Sequence, residues 1–372
     1  MLLFSGSVKE NIPTVANVVQ VKASDKDAGP NAVISYSITA GNSLSYFVID
    51  SQTGIINTSS QIDFEKTPVF NLTVSATDSK FTSFAQVIIE IINENDNKPS
   101  FKKANYFASV AENSAALTSV FTVSASDVDP FGQLTYSIEW VQPGNHSDAF
   151  SVDLATGLIT TADVLDREMI DRYVITVKVI DGGDPALSGF ATVTVNVTDK
   201  NDNPPVFNAS SVKSVISEAS AISSFVTQIS ALDADSGSNA RISYRITSGN
   251  DMSAFVIVPD SGIIRTNATL DRETIPDYAL TCVATDHGQP QRSSMPIIVH
   301  VTVLDVNDNA PIFGQSVFVV NVTEDVTSGT VVQEMHAVDS DAGLNGMVIY
   351  SITAGNDDDS FDIGNGTGKC CW

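Results

Sequence analysis

The chain repeats itself, and that repetition constrains its fold more than any other feature. Asn93-Glu94-Asn95-Asp96-Asn97 returns as Asp199-Lys200-Asn201-Asp202-Asn203 and again as Asp305-Val306-Asn307-Asp308-Asn309. Asp96, Asp202 and Asp308 are spaced 106 residues apart, and proline follows each copy. Other acidic marks keep nearly the same period. A glutamate opens each unit at Glu10, Glu112, Glu218 and Glu324. An Asp-x-Asp follows at Asp25/Asp27, Asp127/Asp129, Asp233/Asp235 and Asp339/Asp341. An Asp-x-Glu comes later at Asp63/Glu65, Asp166/Glu168 and Asp271/Glu273, and a lone aspartate follows at Asp78, Asp181 and Asp286. The 372 residues therefore divide into repeats at 1–99, 100–205 and 206–311, with an incomplete fourth at 312–372.

Between the acidic marks lie strands. Tyr173, Ile175, Val177 and Val179 alternate with other side chains before Asp181, and Val193, Val195 and Val197 do so before Asp199. Val18–Ala23, Ile34–Ile38 and Val87–Ile91 read similarly, and Thr53-Gly54, Thr156-Gly157 and Ser261-Gly262 mark turns. Alternation places every second side chain on one face, so each repeat is expected to be an all-β, antiparallel, Greek-key sandwich. The Cys…Trp…Cys spacing of antibody domains is absent, so the unit is Ig-like in architecture only.

The net charge of −25 argues against nucleic acid or an anionic membrane surface as partner. With 42% hydrophobic residues the chain can bury real cores, so this is not the acidity of a disordered tail. The acidic marks fall at strand ends and in loops, and the loops of a sandwich gather at its two poles. The opening Glu, the Asp-x-Glu and the Asp-x-Asn-Asp-Asn belong to one pole. The Asp-x-Asp and the lone Asp belong to the other. Head-to-tail stacking would bring the two sets together at each junction. The middle one would collect Glu112, Asp166, Glu168, Asp199, Asp202, Asp233, Asp235 and Asp286. So many carboxylates cannot all stay ionised without compensation. A hard divalent cation with oxygen ligands resolves the clash, and calcium, which takes six to eight oxygens in adaptable geometry, fits best. Magnesium demands a tighter octahedron.

Rival readings of the same residues fail. An EF-hand loop counted from Asp25 would need glutamate at position twelve, where Tyr36 stands. Zinc is disfavoured because four His and three Cys occur in no ligand spacing. Glycosidase-type carboxylate pairs would not recur in every unit. No nucleophile–base arrangement appears, so an enzyme is not expected, nor is a small-molecule substrate. Met1–Gly6 is too short an apolar run for a signal peptide, and no stretch reaches the length of a membrane span. Asn-x-Ser/Thr occurs at Asn57, Asn71, Asn145, Asn196, Asn208, Asn267, Asn321 and Asn365, which points to a secreted glycoprotein.

These residues resemble the cadherin repeat, in a protocadherin, Fat or Dachsous-like ectodomain fragment. The matching signatures are Leu165-Asp166-Arg167-Glu168, Leu270-Asp271-Arg272-Glu273, Ala284-Thr285-Asp286, Asp233-Ala234-Asp235-Ser236-Gly237-Ser238-Asn239-Ala240 and Asp305-Val306-Asn307-Asp308-Asn309-Ala310-Pro311. The resemblance covers almost the whole chain. It implies calcium at each inter-repeat junction and an extracellular rod engaged in calcium-dependent cell–cell adhesion. It also implies that Asn239 and Asn345 lend backbone oxygen to the junction. The candidate ligands are thus Glu10, Asp63, Glu65, Asn93–Asn97, Asp127, Asp129 and Asp181 at the first junction. At the second they are Glu112, Asp166, Glu168, Asp199–Asn203, Asp233, Asp235, Asn239 and Asp286. At the third they are Glu218, Asp271, Glu273, Asp305–Asn309, Asp339, Asp341 and Asn345.

Departures from the family pattern are local. Asn93 stands where aspartate is usual, and the loop Asp129-Pro130-Phe131-Gly132-Gln133 is short and has no matching asparagine, so the first junction is expected to be the weaker. Phe64 replaces the arginine of Asp-Arg-Glu, which is expected to matter little. Repeat four stops after Phe361-Asp362-Ile363, before its remaining marks, and Cys370-Cys371-Trp372 departs from the pattern. The chain reads as a fragment of a single-pass membrane protein, on the extracellular side of the plasma membrane. Its partners would be cadherin-type ectodomains on the same or an opposing cell, homophilic or heterophilic. The alternative is a calcium-stiffened spacer with recognition elsewhere in a longer protein.

Overall fold

A computed structural model of the chain describes residues 2–78 and 80–372, and only the backbone of residues 145–147. The sequon at Asn145 lies among the latter. The chain divides after Thr198 into two compact units. Each is treated separately below.

The first unit carries two repeats of one topology. In the second repeat a four-stranded sheet runs in the order Thr135–Gln142, Arg172–Ile180, Ser188–Thr198, Asn105–Ala111. A three-stranded sheet of Ser119–Thr122, Leu158–Thr161 and Phe150–Val152 faces it. The alternation read from the sequence is real. Tyr173, Ile175, Val177 and Val179 are buried, as are Val193, Val195 and Val197, and together with Val123, Ile159 and Leu165 they form one core. The first repeat builds an equivalent core around Ile56, Leu72, Val87 and Ile89. In the second unit, the third repeat does so around Ile264, Leu280, Val299 and Val301.

One pairing differs from the antiparallel expectation. The opening strand of each full repeat runs parallel to the last: Leu2–Lys9 beside Thr82–Ile92, Asn105–Ala111 beside Ser188–Thr198, and Ser211–Ser217 beside Ile297–Leu304. The chain enters and leaves the repeat at opposite poles, so its first and last strands must point the same way. This parallel pair places the opening glutamate beside the exit loop. Glu10 N–H donates to the Ile92 carbonyl, Glu112 N–H to Thr198 and Glu218 N–H to Leu304.

The turn glycines are required. Gly54, Gly157 and Gly262 have φ of 70°, 69° and 66°, and a Cβ there would strike the carbonyl oxygens of Val21, Val123 and Ile229.

Residues 312–372 hold a three-stranded sheet of Val331–Glu334, Lys369–Cys371 and Asp362–Ile363, plus the pair Ile312–Phe313 and Ala337–Val338. Cys370 and Cys371 are thus part of the sheet, and Trp372 packs edge-on against Phe361 with ring centroids 4.9 Å apart. Their departure from the family pattern does not stop them pairing, because the ladder uses backbone groups. Among the described residues no helix is long and apolar enough to cross a membrane.

Candidate metal centres at the repeat boundaries

The opening glutamates of the full repeats and the first aspartates of the Asp-x-Glu loops are fixed by backbone hydrogen bonds. Glu10 is 1% exposed, and its carboxylate accepts the N–H of Phe64 and the N–H of Glu94, both at 2.8 Å. Glu218 repeats this with Arg272 at 2.8 Å and Val306 at 2.6 Å, and Glu112 accepts the Arg167 N–H at 2.9 Å. One buried glutamate thus ties the Asp-x-Glu loop to the exit loop. The aspartates that open the Asp-x-Glu cap their own turns: Asp63 accepts from Lys66 N–H at 2.9 Å, Asp166 from Met169 at 3.2 Å and Asp271 from Thr274 at 2.9 Å.

Within the first unit, Glu10, Asp63 and Glu65 bring carboxylate oxygens within 4.8 Å of one another, and Glu65, Asp96 and Asp129 do the same. Glu65 therefore lies between the first repeat and the second. Burial, a shared hydrogen bond with Asp129 and the nearby Glu10 charge push its carboxyl up to about 7. Glu112, Asp166 and Glu168 form a like cluster at the end of the second repeat, where burial and the Glu112 charge push Glu168 up to about 7. Asp25, Asp27 and Asp78 cluster at the other pole of the first repeat.

The exit loop then seats itself on the next repeat. Asn97 donates its backbone N–H to Asp129 at 2.9 Å, and Asn95 Nδ2 donates to both Asp181 oxygens at 3.2 Å and to the Pro185 carbonyl at 2.8 Å. In the second unit Asn201 Nδ2 donates to Asp286 at 3.1 Å and to Pro290 O at 2.6 Å, while Asn203 Nδ2 donates to Asp235 at 2.9 Å. Asn309 Nδ2 donates to Asp341 at 2.8 Å. Asp127, Asp233 and Asp339 each accept the N–H of the second aspartate of their pair. Burial raises Asp233 and Asp235, and it raises Asp308 together with the charges of Glu218 and Asp341. At the x positions the carbonyls of Glu94 and Lys200 accept the N–H of Asp96 and Asp202 at 2.9 Å. The Glu94 side chain turns outward to Lys9 at 2.7 Å.

Several polar atoms in these clusters lack partners among the described residues. Asn95 Oδ1, Asn201 Oδ1, Asp127 Oδ2, Asp233 Oδ2 and both amide atoms of Asn93 are buried without a hydrogen bond. Asn201 is only 8% exposed. A buried polar atom left unpaired costs about 1–3 kcal/mol. The residues around these atoms offer oxygen ligands, of carboxylate and amide type. That donor set fits a hard cation of the calcium kind.

Two features were not legible in the sequence. The Asn239 and Asn345 side chains, rather than only their backbones, face the exit loop: Nδ2 donates to Asp199 at 2.7 Å and to Asp305 at 2.8 Å. The arginine of Asp-Arg-Glu is also engaged. Arg272 pairs with Glu273 and Asp305 and donates to the Ser340 carbonyl at 2.9 Å. Phe64 therefore replaces a residue that makes contacts. The strand residues Ala337–Val338 pair with Ile312–Phe313, and Ala337 N–H donates to the Tyr350 hydroxyl at 2.9 Å.

The sequence profile of the Cadherin domain matches residues 4–92, 106–198, 213–304 and 318–370. The chain is 39% identical over 368 residues to the Drosophila melanogaster Protocadherin-like wing polarity protein stan, covering 97% of this chain and 10% of that one. It is 37% identical over 364 residues to human Protocadherin Fat 1, covering 96% of this chain and 8% of that one. The chain thus spans about a tenth of the curated relatives it matches. Among solved structures, the Protocadherin GammaB4 extracellular domain superposes with a TM-score of 0.83 at 29% identity, covering 100% of this chain and 60% of that one.

Proposed function

The chain belongs to the cadherin family of extracellular adhesion proteins, and on that premise we propose that the oxygen clusters at the ends of its repeats hold calcium and that the braced repeats serve calcium-dependent adhesion. The observation that carries this reading is the set of unpartnered buried oxygens at Asn95, Asp127, Asn201 and Asp233. Glu10, Asp63, Glu65, Asp96, Asp127, Asp129 and Asp181 would hold the ion at the first boundary, with Asn93 and Asn95 supplying amide oxygen. Glu218, Asp271, Glu273, Asp305, Asp308, Asp339 and Asp341 would do so at the third. The Glu112, Asp166 and Glu168 set and the Asp199, Asn201, Asp202, Asp233, Asp235 and Asp286 set repeat those two halves. A bound divalent cation supplies the charge that offsets the carboxylate repulsion. The chain's own part is orientation. Glu10 holds the Asp-x-Glu and exit loops in register, and Asn95 and Asn97 hold the exit loop against the next repeat.

The partners that fit this reading are cadherin-type ectodomains on the same or an opposing cell. A second reading, a calcium-stiffened spacer, draws on the recurrence of one sheet topology through the full repeats. Chelation tests the calcium reading: melting temperature and scattering-derived maximum dimension should both change when EDTA replaces calcium. Bead aggregation separates adhesion from spacing. Beads coated with the chain should cluster in calcium and disperse in EDTA, whereas a spacer leaves them dispersed in both.

A further inference from the structure

Two boundaries lie wholly within a compact unit, the first and the third, and they are built from one template. At the third, Arg272 of the third repeat pairs through Nε with Asp305 and through Nη2 with Glu273, and Nη2 also donates to the carbonyl of Ser340 in the fourth repeat at 2.9 Å. Asp305 in turn accepts the Ala342 N–H at 3.0 Å and Asn345 Nδ2 at 2.8 Å. The Arg272 and Asp305 side chains are 18% and 13% exposed, so the pair is largely shielded from water. The set runs from one repeat through the exit loop to the next, and every charge and donor in it belongs to the chain.

At the first boundary the glutamate is kept, as Glu65, but the arginine and its aspartate are replaced. Phe64 stands for Arg272 and Asn93 for Asp305, so the cation and its partner are missing together. The loop after Asp129 has no counterpart of Asn345, and its Phe131 carbonyl accepts the Gly182 N–H at 3.0 Å inside the second repeat. Among the described residues neither amide atom of Asn93 finds a partner. What crosses from repeat to repeat is the set of Asn95 and Asn97 hydrogen bonds to Asp181, Pro185 and Asp129, and beside them two groups of like sign, Glu65 and Asp129, approach each other.

We propose that Arg272 and Asp305 form a calcium-independent clasp between the third and fourth repeats, and that the first boundary, which lacks it, is the joint that loosens when calcium is withdrawn. The clasp stands on the contacts alone. The loosening rests on the calcium reading above.

Hydrogen exchange on the whole chain, read by mass spectrometry with and without EDTA, tests both parts. The Ala342 amide reports the third boundary and the Asn97 amide the first. In EDTA, Ala342 should remain protected and Asn97 should exchange several-fold faster than in calcium. Arg272→Gln should remove the Ala342 protection in EDTA and leave Asn97 unchanged. Asp305→Asn, nearly isosteric, should do the same, and the double variant should add little to either. Phe64→Arg with Asn93→Asp should gain protection at Asn97 in EDTA only when combined. Unchanged protection of the Val299 amide in the core shows that the variants are folded. Ala342 protection untouched by Arg272→Gln would overturn the clasp. Asn97 protection equal in calcium and EDTA would overturn the loosening and the calcium reading while leaving the clasp intact.

Discussion

Glu10 accepts the backbone N–H of Glu94 at 2.8 Å, joining the two ends of the first repeat through one buried carboxylate. Its other oxygen holds Phe64. The residue thus has two roles, hydrogen-bond acceptor and negative charge, and substitutions separate them. Glu10→Gln keeps an acceptor and loses the charge. It should leave the melting temperature in EDTA little changed and shrink the increment that calcium adds. Glu10→Ala strands two part-buried N–H groups at up to about 1–3 kcal/mol each, so it should lower the melting temperature in both conditions. Thermal melts of the three proteins, with and without calcium, check the order.

Stability without calcium should depend on pH in a definite direction. Burial first, then neighbouring carboxylates, raise Glu65 and Glu168 from 4.5 to about 7. A raised folded value means the folded chain holds more protons than the unfolded chain between those limits. The contribution is fully present below 4.5 and is lost as pH rises through 7. In EDTA, melting temperature should therefore fall from about pH 5 to about pH 8. In calcium the ionised form is the one favoured, so the calcium-induced gain should grow over the same range. A gain that is flat with pH would contradict the assignment.

The three thiols should differ in reactivity. Cys282 is 0% exposed at the centre of the third-repeat core, and burial pushes its thiol up to about 11. Only the thiolate is nucleophilic, so this side chain is doubly protected. Cys370 and Cys371 are half-buried near the chain end. Alkylation of the native chain should modify those two and spare Cys282. Denaturant should release the third, as peptide mass spectrometry would show.

The buried alternation makes a further contrast. Leu280 is 0% exposed, whereas Leu344 in the fourth repeat is 86% exposed. Leu280→Ala should cost about 2–5 kcal/mol through lost transfer energy and a cavity. Leu344→Ala should stay within about 0.5 kcal/mol of the parent. Urea midpoints for the third repeat, followed by Cys282 labelling, would read the difference.

The all-β fold was legible because its signal is local. Val193, Val195 and Val197 alternate within a few residues, and all three are buried. The clustering of acidic residues at the repeat ends was legible because the chain repeats them, so each copy checks the others. Glu10, Glu112 and Glu218 all proved to be buried acceptors of loop amides. The parallel pairing of first and last strands was not legible, since an alternating strand reads the same in either direction. Nor was the engagement of Arg272, whose partner Ser340 lies 68 residues away.

By itself the sequence determined the repeat, the strand pattern that folds it, and the oxygen-bearing residues that gather at its ends. Periodicity and residue chemistry are properties of the chain, unaffected by what packs against what. The tertiary structure decided which atoms meet. It turned the Asn201 amide nitrogen to Asp286 and left its oxygen unpaired, and it set Arg272 against Asp305 while placing Phe64 and Asn93 where neither can form such a bond. Hydrogen bonds and ion pairs depend on distance and direction between segments far apart in the chain, and only folding fixes those.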